Sequence, residues 1–390
     1  MTLLRSLPIR LEPLPGESLD SWLEYYAGQC NVRHLDLLRA IGLHQAWTAL
    51  EDYTVYLQDD EADRIAIVTG VPVRRLHAMT LQTYDGQATV INWGLRSTKR
   101  MELWSRGKGS RFCPRCLHER DGRWSLRWRL SWAFACTKHQ ILLPHECPGC
   151  GTRVRTGPRS ATHEIPPHQC TALRPTHGVG CRSDLRTTPA TAVPPDSPIL
   201  EAQRWIDAAL DQIESDDAPA ESVSRQTFND LRTLAAWWLR RYEPGDALNL
   251  GPEIDEACQQ ANENGQFAPT SALVTAAALT AAVQMLSQPL AEASVSVVRT
   301  LLDRDRGQLQ IMAPAEVRKK LEGASDRVHQ LVWRAMDSSM GNVDRLRFRS
   351  GGSRPRPPEP GSEEQILQRA RWIPRLFWQG GQFASSRPAG

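Results

Sequence analysis

Cys113-Pro114-Arg115-Cys116, Cys136-Thr137-Lys138-His139, Cys147-Pro148-Gly149-Cys150-Gly151, then Cys170 and Cys181: this stretch holds seven of the nine cysteines. In each pair, two residues separate two soft donors. That spacing puts both on one side of a tight turn, within reach of one zinc ion. A tetrahedral site needs four donors, so the pairs must themselves be paired. Taken in chain order, Cys113, Cys116, Cys136 and His139 close one site, and Cys147, Cys150, Cys170 and Cys181 close a second. Pro114, Pro148 and Gly151 stand where a knuckle turn points its amides back at sulfur. His118, His145, His163, His168 and His177 are near enough along the chain to replace a cysteine. Four protein donors with two or more thiolates make a closed site, so the sequence predicts two structural Zn2+ ions that supply folding energy. Disulfides are the competing reading. Met1 to Arg10 has no apolar run of signal-peptide length, so a cytoplasmic chain with reduced thiols is expected. Cys30 and Cys258 stand alone in helical patterns and read as buried thiols.

The charge is unevenly spread. From Arg96 to Arg159 there are 15 Lys or Arg and 4 Asp or Glu, a formal +11 inside a chain of net charge +3. A basic segment in an otherwise acidic chain suits a phosphate backbone. Arg96, Lys99, Arg100, Arg106 and Lys108 on the connector ahead of Cys113 are its candidate contacts. Upstream, Ser18 reads as an N-cap, with helices at 19–30 and 34–41 across the Asn31 break. The shape recurs at 60–69 and 73–79 around Gly70-Val71-Pro72. Both are helix-turn-helix candidates, and Arg33, Arg39, Arg74 and Arg75 on the second helices are candidate nucleic-acid contacts. Downstream, Trp124, Trp128 and Trp132 fall on one helical face. Core packing of the zinc segment against the N-terminal helices outweighs base stacking for this stripe, leaving Arg123, Arg127 and Arg129 freer to be exposed.

The expected fold class is mainly α, with N-terminal helix-turn-helix units, central zinc ribbons with short β-hairpins, and a helical C-terminal half. The divisions expected are 1–95, the double zinc module 96–187, a linker 188–198, a helical domain 199–344, and a basic arm with a short terminal helix over 345–390. C-terminal helices are expected at 198–213, 223–242, 254–264, 271–287, 292–304 and 315–336. The uncharged run 264–291 is rich in Ala, Thr and Ser and broken by Pro269 and Pro289. It reads as a buried helix and not a membrane span.

The lead-in Pro13-Leu14-Pro15-Gly16-Glu17-Ser18-Leu19-Asp20-Ser21-Trp22 resembles the TniQ family. So do the Thr69-Gly70-Val71 turn, Thr80 to Tyr84, and the run from Arg111 through Cys113, Cys116, Trp124, Trp128, Cys136, His139 and Cys147 to Gly151. The resemblance runs over roughly residues 7–187. It implies a transposon target-selection subunit with N-terminal helix-turn-helix units and zinc ribbons. Such subunits link a target-recognising element, DNA or an RNA-guided effector complex, to the AAA+ ATPase that recruits the transposase. It maps the family's ligands onto the same eight residues. It departs at the second site, where ten residues separate Cys170 from Cys181; these read as an inserted loop.

Two function classes follow. The first is a non-catalytic targeting adaptor whose partners are DNA or an RNA-guided complex, the AAA+ ATPase and, further, the transposase; a homodimer is one possible assembly. The second is a stand-alone DNA-binding regulator. No acidic catalytic triad, phosphate loop ending in Lys-Ser or Lys-Thr, or His-Glu-x-x-His is present. An enzyme would need an open zinc, with one of the eight ligands displaced by water.

Overall fold

A computed structural model describes residues 6–43, 52–156, 165–172, 180–215, 221–246, 253–261, 267–289, 291–309, 317 and 321–337. The fold is mainly α, with two small antiparallel sheets of two strands each among the described residues. Its N-terminal part is two short helical hairpins. α1 (Leu19–Gln29) and α2 (His34–Ala40) turn at Asn31, whose φ of 55° reverses the chain. α3 (Asp59–Thr69) starts with a reciprocal Gln58–Glu61 capping box and stops at left-handed Gly70; α4 (Val73–His77) follows. Their apolar faces meet in one core around Trp22, Tyr26, Leu38, Ile65 and Leu76. Ser18 occupies the N-cap position, but its hydroxyl donates to Asp20 Oδ1 at 2.6 Å and does not cap the helix amides.

Two hairpins and one short helix make the central segment. β1 (Ile91–Asn92) pairs with β2 (Ser97–Thr98), and β3 (Ala135–Cys136) pairs with β4 (Ile141–Leu142). α5 (Pro114–Glu119) begins directly after Cys113. A second core gathers Phe112, Leu117, Trp124, Trp128, Ile141 and Leu143 around the cysteines. The tryptophans are buried, as expected, but not along one helix: only a 3-10 turn forms, at Leu126–Arg129. Trp124 and Trp128 meet edge-to-face at 5.7 Å beside the cysteines. Trp132 instead stacks on Trp104 and packs on Phe228, 5.0 Å away. The arginines between them are not free. Arg123 pairs with Glu17 at 2.5 Å, Arg127 with Asp211 at 2.5 Å and Glu214 at 2.8 Å, and Arg129 with Asp52 at 2.7 Å. Each guanidinium fastens this irregular segment to another part of the chain, which is why the segment needs no helix to hold it.

Residues 188–198 lie along the hairpin. Leu142 N donates to Thr191 O at 2.9 Å and Val193 N to Gln140 O at 2.8 Å. Beyond them come α6 (Pro198–Glu214), α7 (Glu221–Arg240), α8 (Glu253–Ala261), α9 (Ala272–Ser287), α10 (Glu292–Leu309) and α11 (Asp326–Asp337). The uncharged α9 is buried nearly all round and packs against α6, α7, α8 and α10. No helix among the described residues is long and apolar enough to cross a membrane. The single helix expected over 315–336 is interrupted. Gly323 takes φ 79°, and Ser325 both accepts from Val328 N and donates to Asp230 at 2.5 Å, so α11 starts afresh at Asp326. Residues 310–316 and 318–320 lie outside the described residues.

Arg111, wholly buried, ties the central segment to α9. It donates to the Ser131 and Ala133 carbonyls, to those of Pro269, Thr270 and Ser271, and to the Thr275 hydroxyl. Burial, with Arg106 adding to it, holds its pKa well below the arginine range. Helices α1–α11 and strands β1–β4 lie in one unit, Met1–Ile311 with Leu321–Ser338. A second unit, Met312–Lys320 with Ser339–Gly390, takes in the stretch 345–390, where a basic arm and a short terminal helix are expected and which lies outside the described residues.

Candidate metal centre

The first cluster is built by α5 and the β3–β4 hairpin. Cys113 stands at the N-cap of α5 and accepts from Cys116 N at 3.4 Å, the knuckle amide turned back on sulfur. Cys136 ends β3, and the turn into β4 brings His139 round with its Nδ1 inward. That Nδ1 is 3.3, 3.2 and 3.5 Å from the sulfurs of Cys113, Cys116 and Cys136, and Cys116 and Cys136 are 3.7 Å apart. A tetrahedral ion with metal–sulfur bonds of about 2.3 Å puts its sulfurs roughly 3.8 Å apart, with nitrogen slightly closer. The four donors therefore fit one ion of zinc's size. The Cys116 thiol is pushed far up by its hydrogen bonds with Cys113 and Cys136, and burial adds to this. An entering cation displaces protons, so affinity falls as pH falls.

The second cluster closes across the ten residues between Cys170 and Cys181. Cys170 N donates to Ser183 O and Cys181 N to Ala172 O, so the two ends of that stretch are clasped together. Cys147 and Cys181 stand 3.8 Å apart, as do Cys150 and Cys170. All four ligand atoms in each cluster lie within 4.8 Å of one another. These are the two metal-ready groups among the described residues. Neither includes His118, His145 or His168; His163 and His177 lie outside the described residues. Cys258 is buried, as expected for a lone thiol, and Cys30 is half-buried. Gly149 is required by packing: a Cβ there would stand 1.9 Å from Ser183 Oγ and 3.5 Å from Cys181 Sγ. Gly149→Ala is expected to force the knuckle off the 181–183 segment. Metal content measured on the purified variant should fall by one equivalent, with the first cluster retained.

Sequence reasoning missed Glu119. It lies one helical turn beyond Cys116 on α5, a spacing that places both on one face and was there to be read. Its Oε1 faces His139 Nε2 at 2.9 Å, and its Oε2 accepts from Lys138 at 2.5 Å. The contact holds the imidazole so that Nδ1 faces the sulfurs. Glu119→Ala is expected to weaken metal binding at the first cluster about 10–100-fold. Competition with a chromophoric chelator measures this, and an unchanged affinity would refute the orienting role.

The candidate nucleic-acid contacts are spread over α2, α4 and the connector ahead of Cys113. Arg33 pairs with Asp36 at 2.5 Å, and Arg39 reaches the same carboxylate at 3.9 Å. Arg74 lies on the five-residue α4; Arg75 is held by Glu12 at 2.9 Å and the Pro13 carbonyl at 2.6 Å. Arg96 is turned inward, paired with Glu61 at 2.9 Å and lying over the rings of Tyr53 and Tyr56. Lys99 pairs with Glu102 at 3.4 Å. Arg100 lies over Phe267, Arg106 is buried and Lys108 is exposed.

The TniQ family model matches residues 8–143. The match takes in α1–α5, both hairpins and the whole first cluster. It ends before Cys147, short of the residue 187 to which the sequence resemblance was read. A search of curated proteins returns no match.

Proposed function

On the TniQ match over residues 8–143, we propose that this chain is a non-catalytic target-selection adaptor in transposition. Its partners are a target element, DNA or an RNA-guided complex, and an AAA+ ATPase that recruits the transposase. The observation that carries the reading is the first cluster: inside the matched segment, four donors stand at zinc distances and fill a tetrahedron with protein. A filled tetrahedron leaves no position for substrate or activated water, so the metal's part is to fold the segment. The second cluster has four thiols in the same geometry and takes the same part. The helical hairpins at α1–α2 and α3–α4 serve as docking elements. Most of their arginines are engaged within the protein, which favours α1–α4 as a protein-facing platform.

The test is capture of a transposon-encoded AAA+ ATPase by the purified full chain, with and without ATP. Nucleotide-dependent capture is the expected result. DNA binding without capture of any such ATPase would overturn the adaptor reading in favour of a stand-alone regulator.

A further inference from the structure

Many arginines among the described residues meet a carboxylate, as Arg64 meets Asp60, Arg129 meets Asp52 and Arg155 meets Glu24. The turn Ser105-Arg106-Gly107-Lys108-Gly109-Ser110 departs from this. Gly107 makes room for Arg100, since a Cβ there would stand 3.1 Å from Arg100 Cδ. Gly109 makes room for Arg153: its φ is 98°, and a Cβ would stand 3.3 Å from Arg153 Nη2. That guanidinium donates to the Lys108 carbonyl at 3.1 Å. Two glycines thus let two arginines lie against the turn on either side of Lys108. Arg100, Lys108 and Arg153 are all exposed.

Arg106 adds a fourth charge in the same turn. It is 8% exposed. No carboxylate pairs with it among the described residues. Burial first, then the like charges of Arg153 and Arg129, lowers its pKa to about 9, so it stays cationic at neutral pH. Of the flanking acids, Glu102 pairs with Lys99 and Asp52 with Arg129; Glu146 sits across a β-bridge from Arg153, but no ion pair joins the two. A buried guanidinium without a counter-ion is costly, and an anion from outside the chain relieves it.

The arrangement also says what kind of anion. The amides of Gly109 and Ser110 donate to the carbonyls of Arg155 and Val154, so the turn offers no nest of free N–H groups to one phosphate there. Several cations gathered about one turn suit a run of phosphates. We propose that Arg100, Lys108 and Arg153, backed by Arg106, form a docking strip for the phosphodiester backbone of a nucleic acid, bound without sequence preference. The inference rests on the reading above only in that the chain works on nucleic acid.

The test is fluorescence anisotropy of the full chain with a labelled mixed-sequence duplex DNA and an RNA of equal length, over a salt series. The triple variant Arg100→Ala, Lys108→Ala, Arg153→Ala is compared with Arg64→Ala, Arg204→Ala, Arg299→Ala, which removes the same charge elsewhere. The strip variant should bind at least about tenfold more weakly at ~100 mM salt. Its log–log salt slope should be shallower by about 0.9 for each duplex phosphate that the variant no longer neutralises. Its metal content and melting temperature should match the wild type. Weakening confined to the DNA probe, or to the RNA probe, supports the strip and identifies the source of the backbone. Unchanged affinity and slope for both probes overturn it, as does an equal weakening in the control variant or a wild-type chain that binds neither probe. ATPase capture, measured in parallel, separates the claims: a strip variant that no longer binds nucleic acid while the wild type captures no ATPase refutes the adaptor reading and leaves the strip standing.

Discussion

Cys113→Ser is expected to cost the protein one metal equivalent, the fold of the central segment and all partner binding together. Cys113 is fully buried, starts α5, accepts the Cys116 amide and belongs to the core of Phe112, Leu117, Trp124 and Trp128. That core rests on two-residue strands and a six-residue helix, too little regular structure to persist alone. Structural zinc contributes about 10–16 kcal/mol to folding in small zinc-binding peptides, comparable to the whole stability of an ordinary domain. The loss spreads to α1, because Ser18 N donates to Trp124 O at 3.0 Å and Trp124 N to Ser21 Oγ at 2.8 Å. Metal analysis with thermal melting checks this, using Cys30→Ser as the variant expected to keep both equivalents. A Cys113→Ser protein with full metal and wild-type melting would refute the ligand assignment.

Glu17→Ala is expected to destabilise the protein by about 3–5 kcal/mol. Glu17 is 1% exposed and grips Arg123 at both oxygens, at 2.8 and 2.5 Å. The same carboxylate accepts from Leu14 N at 3.0 Å and Ser21 Oγ at 3.1 Å. Arg123 also donates to the Glu12 carbonyl at 3.0 Å and lies over the Tyr25 ring. Removing the carboxylate strands a buried guanidinium, which is where the cost arises. The double change Glu17→Met, Arg123→Met should recover most of the loss, since a buried pair barely outweighs its own desolvation. Denaturant titration measures both. A Glu17→Ala cost below about 1 kcal/mol, the scale of a surface pair, would contradict the burial argument.

What could be read from the sequence was what depends on near neighbours. The spacing of Cys113 and Cys116, and of Cys136 and His139, fixes donor geometry within a single turn. Leu19, Trp22, Leu23 and Tyr26 repeat at the helical period, and α1 runs where they do. What could not be read was which long side chain reaches which distant carboxylate. Arg96 and Arg123 look like surface charges in a basic run; Glu61 and Glu17, 35 and 106 residues away in sequence, draw them inward. The tryptophan stripe failed for a related reason. Trp124 and Trp132 satisfy a helical period, but they serve two different cores, and the arginines between them hold an irregular path. Arg153 was passed over because its neighbours on the strip, Arg100 and Lys108, are brought to it only by the pairing of residues 109–110 with 154–155.

X-ray absorption at the zinc edge of the purified chain tests the central claim most directly, because it reads the ligands of every bound ion at once. Two closed sites predict two zinc ions per chain, each four-coordinate, sharing seven sulfurs and one nitrogen with no oxygen scatterer. An oxygen ligand at either ion, or a single zinc per chain, would contradict it.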